Sequence, residues 1–140
     1  MNSMDRRSQL REVEFLILFR ADFFDADGIN EQIDDFFEDE DGFRGAEKER
    51  VRAKVLACCE KLPEIDAELD SLSVGWKTKR MTKVDLTVLR LALYEIKYDD
   101  AVPDAAAINE AVELAKSYGT ESSASFVNGI LAKAVKTEEV

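Results

Sequence analysis

The stretch VRAKVLACCEKLPEIDAELDSL, residues 51–72, decides the fold. Val51, Val55, Cys58, Leu62, Ile65, Leu69 and Leu72 recur at alternating steps of four and three residues. That spacing lines them up on one face of a helix, as a continuous stripe of the bundle-forming kind. Pro63 falls inside the stripe. It has no N–H to donate and its ring crowds the preceding turn, so a kink or break is expected there.

Toward the C-terminus, Val74-Gly75-Trp76 and the basic residues Lys77, Lys79 and Arg80 read as a connector. Thr82 is a candidate N-cap with Asp85 at the third helical position. The helix they open, to about Tyr98, carries two stripes: Val84, Val88, Leu91 and Leu86, Leu89, Leu93, Ile96. Two stripes predict burial on two sides. Pro103 and Asp104 start a further helix with Ile108, Ala111, Val112 and Ala115 inward and Gly119 as its stop. The last runs from about Ser122 to Val135, with Phe126, Val127, Ile130, Leu131 and Ala134 apolar. Asn128-Gly129 would suggest a hairpin turn in isolation. Its helical surroundings place it inside the helix, where Gly129 costs ~1 kcal/mol. Close backbone packing or a nearby ligand would account for the glycine.

Toward the N-terminus, a helix is expected from Arg6 to about Phe24. Leu10, Val13, Phe15, Leu16, Ile17, Leu18, Phe19 and Phe23 cover most of its circumference, as in a central, buried element. Its first turns, with Arg6, Arg7, Ser8, Gln9 and Arg11, are expected in solvent. Asp27-Gly28 reads as a turn before a short acidic helix with Ile29, Ile33, Phe36 and Phe37 inward, ended by Gly42 and Gly45. No strand-like alternation of useful length appears, and the chain is expected to be all-α.

Nineteen basic and thirty acidic residues leave a net charge of −11. The acidity is local: residues 1–21 carry +1, residues 22–49 carry −10 and residues 50–140 carry −2. So acidic a total normally argues against nucleic acid, but a distant acidic face barely reaches a separate neutral or basic one when the Debye length is ~8 Å, which weakens the objection. The chain has no histidine, which removes the usual general base and the commonest zinc ligand together. The longest apolar runs, Phe15 to Phe19 and Val55 to Cys59, fall far short of the ~20 residues of a membrane span. No apolar stretch near the start ends in a small-residue cleavage site. Cys58 and Cys59 are adjacent, an arrangement that rarely suits a disulfide. A reduced, cytoplasmic protein is expected.

Most candidate chemistry fails on its own spacing. Asp25-Ala26-Asp27-Gly28 and Asp39-Glu40-Asp41-Gly42 echo a calcium loop, but the alignment puts Phe23 or Phe37 where the first carboxylate belongs. The closing ligand position holds Asp34 in one case and Lys48 in the other. Cys58 lies on the apolar stripe, which suits a buried structural thiol. No metal site, cofactor loop or catalytic group stands out. Two basic features remain: Arg6, Arg7 and Arg11 at one helix end, and Lys77, Lys79, Arg80 and Lys83 before another. Each reads either as a solvated charge run or as a set of phosphate contacts.

The second half carries a resemblance. Arg80-Met81, Val84-Asp85, the run Val88 to Glu95, Pro103, the run Ala107 to Lys116, Tyr118-Gly119 and the run Phe126 to Leu131 together resemble the NusB family of transcription antitermination factors. The match is close from Trp76 to Val135. It is looser in the first half, through Arg7, Arg11-Glu12 and Phe19. The resemblance implies one domain of two small helical bundles packed together, residues 1–75 and 76–140. It implies binding of boxA RNA jointly with NusE, a ribosomal small-subunit protein. It also implies entry into the antitermination complex on RNA polymerase and suppression of termination, notably in ribosomal RNA operons, with no reaction catalysed, no cofactor and no membrane.

Carried over residue by residue, the resemblance places RNA at Arg7 and Arg11, with Arg6 adjacent, and near Tyr118 and Phe126. It places NusE at Asp85. Ser122 stands where relatives often carry an acid that influences RNA affinity, and Ser8-Gln9-Leu10 where they often carry a denser basic cluster. Each residue has a plainer reading beside it: Phe126 as core, Tyr118 as packing beside Gly119, Asp85 as the helix cap. The alternative function is a helical protein-interaction module with little RNA affinity. NusB-like domains also precede RNA cytosine methyltransferase domains, but these residues hold no cofactor-binding segment.

Overall fold

The computed structural model describes residues 5–38 and 40–138. Among them are seven α-helices, two 3-10 turns and no strand. The helices are α1 (Arg6–Leu18), α2 (Ala26–Glu38), α3 (Gly45–Glu60), α4 (Leu62–Leu72), α5 (Lys83–Tyr98), α6 (Asp104–Tyr118) and α7 (Ser123–Glu138). They form two compact units, Met1–Glu60 and Lys61–Val140. α4 falls in the second of these units, whereas the resemblance implies subdomains of residues 1–75 and 76–140.

The break between α3 and α4 lies where Pro63 predicts it. Lys61 leaves helical geometry and Pro63 takes a first-turn position of α4, where a missing N–H costs nothing. One apolar stripe is thus divided between two helices. Val51 and Val55 pack in the first unit with Leu10, Val13 and Ile17 of α1 and Ile29, Ile33 and Phe37 of α2. Full burial of such side chains is worth ~1.5–3 kcal/mol each.

Three boundaries in the first unit differ from expectation. α1 stops at Leu18, not near Phe24, because the Arg20 N–H turns back to the Ile17 carbonyl at 3.0 Å and a 3-10 turn, Ala21–Phe23, follows. Asp27-Gly28 is no turn but the first turn of α2. The Asp25 carboxylate caps it by accepting the Gly28 N–H at 2.9 Å, which satisfies one of the helix's orphan donors. A Cβ on Gly28 would come within 2.9 Å of the Phe24 side chain. Gly45 opens α3 and does not close α2.

The second unit is built around α5, which packs against α4, α6 and α7. Both predicted stripes are buried from Leu86 through Ile96, while Val84 at the start of the first is only partly so. Thr82 caps α5 by accepting the Asp85 N–H at 3.1 Å. Arg90 donates two bonds to Asp66 of α4, at 2.9 and 2.7 Å, a bidentate geometry that fixes α4 on α5. Small residues let α6 approach closely: Ala107, Ala111 and Ala115 are buried together with Leu114. Val127, Ile130, Leu131 and Ala134 complete the core from α7, which runs through Asn128-Gly129 without interruption. Gly119 ends α6 as expected.

Candidate nucleic-acid and partner interface

The arginines at the start of α1 have three different fates. Arg6 is fixed on Glu47: its Nε donates to Oε2 at 2.7 Å and its Nη2 to Oε1 at 2.9 Å. The same guanidinium donates to the Gln9 amide oxygen at 2.8 Å and to the Gly42 carbonyl, and lies 4.7 Å from the Phe43 ring centroid. Glu47 also accepts the Arg44 N–H at 2.9 Å, capping α3. The Arg6 guanidinium above all, and then the Arg44 N–H, hold its carboxyl down at about 2, well under its ordinary 4.5.

Arg11 does not project into solvent as expected; it is 8% exposed. The reason is the all-round burial of α1, which takes in Leu10, Arg11, Val13, Glu14, Phe15, Ile17 and Leu18 and leaves only the first turn outside. Arg7 stands in that turn and is exposed. The carboxyl of the capping Asp5 is held below its ordinary value, first by the Ser8 N–H and to a lesser degree by the Arg7 charge. Arg6 is exposed as well, but its guanidinium is held by Glu47, so of the three it is Arg7 that is exposed outside that ion pair.

In the second unit, Tyr118, Ser122 and Phe126 come together at the turn from α6 to α7. Tyr118 closes α6 and is 39% exposed. Ser122 is exposed and accepts the Phe126 N–H at 3.1 Å, the first bond of α7. Ser123 is buried, and its hydroxyl accepts the Thr120 N–H at 3.0 Å, so the turn is tightly held. Phe126 is half-buried, neither wholly core nor free. One turn on, Asn128 and Gly129 are exposed, and a Cβ added to Gly129 would meet nothing within 4 Å. Close packing within the chain is thus not the reason for that glycine. Beside this face, α6 and α7 flank an open groove of about 460 Å³ whose lining includes Asn109, Glu113, Lys116, Ser125 and Asn128. No sequence motif signalled the groove.

Asp85 is 9% exposed, and its Oδ1 accepts no hydrogen bond among the described residues. Capping explains its backbone N–H but not its carboxylate, since Thr82 supplies the acceptor. An unmatched buried carboxylate oxygen is costly and would be relieved by a donor from outside. No group of three or more potential metal ligands occurs among the described residues. No helix there is long and apolar enough to cross a membrane.

These features define an all-α protein with outward cations and half-exposed aromatics. A model of the NusB family matches residues 8–136, and the chain belongs to the NusB family. The transcription antitermination protein NusB of Agathobacter rectalis is 46% identical over 127 residues, covering 91% of this chain and 97% of that protein. The structure of T. maritima NusB superposes with a TM-score of 0.82 at 35% identity, covering 94% of this chain and 92% of that one. Antitermination factors NusB and NusE in complex with dsRNA supply a further likeness, in fold, with TM-score 0.82 and 24% identity over 96% of this chain and 99% of that one.

Proposed function

We propose that this protein is an RNA-binding transcription antitermination factor. It binds boxA-type single-stranded RNA together with NusE, joins the antitermination complex on RNA polymerase and suppresses termination, notably in ribosomal RNA operons. It works in the cytoplasm as a binding protein and not as an enzyme. Membership of the NusB family supports this reading. The observation that carries it is the α7 face from Phe126 to Gly129: a half-exposed ring followed by an exposed glycine at which an added Cβ would meet nothing within 4 Å. A helix keeps such a glycine at a cost of ~1 kcal/mol, and a partner backbone brought close to that face is the physical return.

In this reading Tyr118 and Phe126 offer rings to unstacked bases, as single-stranded RNA recognition requires, and Ser122 lies between them on the turn. Arg7 meets a phosphate. Arg6 and Arg11 act from behind, holding the start of α1 in place. NusE supplies the donor that Asp85 lacks. Calorimetric titration with NusE tests the last point: Asp85→Lys abolishes or greatly weakens binding while helicity is kept. Unchanged affinity moves NusE elsewhere, and lost helicity makes Asp85 only part of the α5 start. Asp85→Asn, which keeps the shape, separates charge from packing.

A further inference from the structure

The connector from α4 to α5 is built more firmly than a solvated link needs to be. Gly75 turns the chain with a positive φ of 78°, which glycine adopts without strain. The Ser73 hydroxyl donates to the Trp76 carbonyl. The Thr78 N–H donates to Asp70 Oδ1 at 2.7 Å, and Lys77 Nζ to the Asp70 carbonyl at 2.8 Å. A 3-10 turn, Thr78–Arg80, follows, and buried Met81 anchors its end. On this frame Trp76 is 49% exposed and Val74 86% exposed. The Arg80 guanidinium lies 5.8 Å from the Trp76 ring centroid. Lys77, Lys79 and Arg80 are exposed, and neither Lys79 nor Arg80 pairs with a carboxylate among the described residues.

We infer that this connector is a second contact for single-stranded RNA. Trp76 stacks on a base, and Lys77, Lys79 and Arg80 hold the flanking phosphates. The inference rests on the RNA-binding reading above and extends it to a surface apart from the α6–α7 turn. Charge complementarity selects the occupant. From Lys77 to Lys83 the chain has four cations and no acid, in a protein of net charge −11, while at the start of α1 one arginine is tied to Glu47 and another is buried. A flat ring beside a guanidinium suits a polyanion with π-faces, because stacking needs no particular base. The Lys133 Nζ lies 3.4 Å from the Leu72 carbonyl, so α7 leads from the Phe126 turn toward the connector. Ten residues of helix, ~15 Å at 1.5 Å each, separate Ser123 from Lys133.

Trp76 is the single tryptophan of the chain, so its emission reports on this site alone. The probe is labelled boxA RNA with an oligouridylate extension, added to the full chain with and without NusE. Anisotropy of the RNA follows binding, and a Trp76→Phe protein supplies the fluorescence background. The expected result is quenching of Trp76 in step with the anisotropy. Trp76→Ala weakens binding about ten- to a hundredfold, while Trp76→Phe retains most of it. Replacing Lys77, Lys79 and Arg80 by alanine lowers the log-log salt slope by about 2, at ~0.7 per phosphate contact. Saturated RNA binding with Trp76 emission and the triple variant's slope unchanged overturns the connector site and leaves the RNA-binding reading standing. Loss of NusE binding with RNA binding intact also overturns it, in favour of a protein contact. No anisotropy change in the parent, with NusE present, overturns both readings.

Discussion

Replacing each of the three α1 arginines by alanine, one at a time, should split them by role. Arg7 is exposed on the first turn, so Arg7→Ala removes one phosphate contact and nothing from the core. One contact on a single strand releases ~0.7 counterion. Across a fourfold rise in salt, from ~50 to ~200 mM, the parent should therefore lose roughly 2.6-fold more affinity than Arg7→Ala. Arg6→Ala behaves differently. It breaks the two bonds to Glu47 and the bonds to Gln9 and Gly42, so its cost appears in the urea midpoint and not in the salt slope. Arg11→Ala, at a site 8% exposed, also lowers stability and leaves the slope alone. The assay is RNA anisotropy against salt, beside urea unfolding of the same proteins. An Arg6→Ala slope change equal to that of Arg7→Ala refutes the reasoning, because it means RNA displaces Glu47 from Arg6.

The Glu47 carboxyl is depressed from 4.5 to about 2, so its pairing supports the fold fully above pH ~4.5 and fails as pH falls toward 2. Glu47→Gln should flatten the fall in urea midpoint over that window, and an identical pH profile contradicts the pairing. Gly129→Ala meets only open space and should raise stability by ~1 kcal/mol, a melting shift of a few degrees, while weakening RNA binding. A destabilised Gly129→Ala variant shows that the helix needs the glycine after all. Gly119→Ala should instead lower stability, since its Cβ would fall 2.8 Å from the Ala115 carbonyl and 2.6 Å from Ser123 Cβ. Thermal unfolding at or above the parent's midpoint rules that clash out. Phe126→Ala should cost about 1–3 kcal/mol of RNA affinity without altering the salt slope, and a changed slope assigns the ring a different role.

Periodicity carried the fold a long way. The stripe of residues 51–72, its break at Pro63, the Thr82 cap and the helix through Asn128-Gly129 all follow from spacing and local chemistry. The errors lie where local signals compete. Asp25-Ala26-Asp27-Gly28 reads as a turn until the Asp25 carboxylate is seen to cap Gly28, because aspartate and glycine serve helix starts and turns alike. The α-helix also ends at Leu18 and gives way to a 3-10 turn, although the apolar residues run on through Phe19 and Phe23.

The candidate interface was less legible than the fold. Three arginines in six residues look equivalent as sequence. Arg6 is tied by a contact with Glu47, forty-one residues away, and Arg11 is buried, and neither fact has a local signature. The exposure of Trp76 and the unmatched Asp85 oxygen likewise depend on tertiary placement. Tyr118, Ser122 and Phe126 were singled out through the resemblance alone, and the structure sets all three at or beside the α6–α7 turn.

Titration of the full chain with single-stranded boxA RNA across a salt series, with and without NusE, tests the central claim most directly. The account predicts binding that tightens when NusE is present and weakens linearly in a log-log plot against salt, with a slope of about −3. That value corresponds to Arg7 and the three connector cations at ~0.7 each. Binding that is absent with NusE, or indifferent to salt, contradicts it.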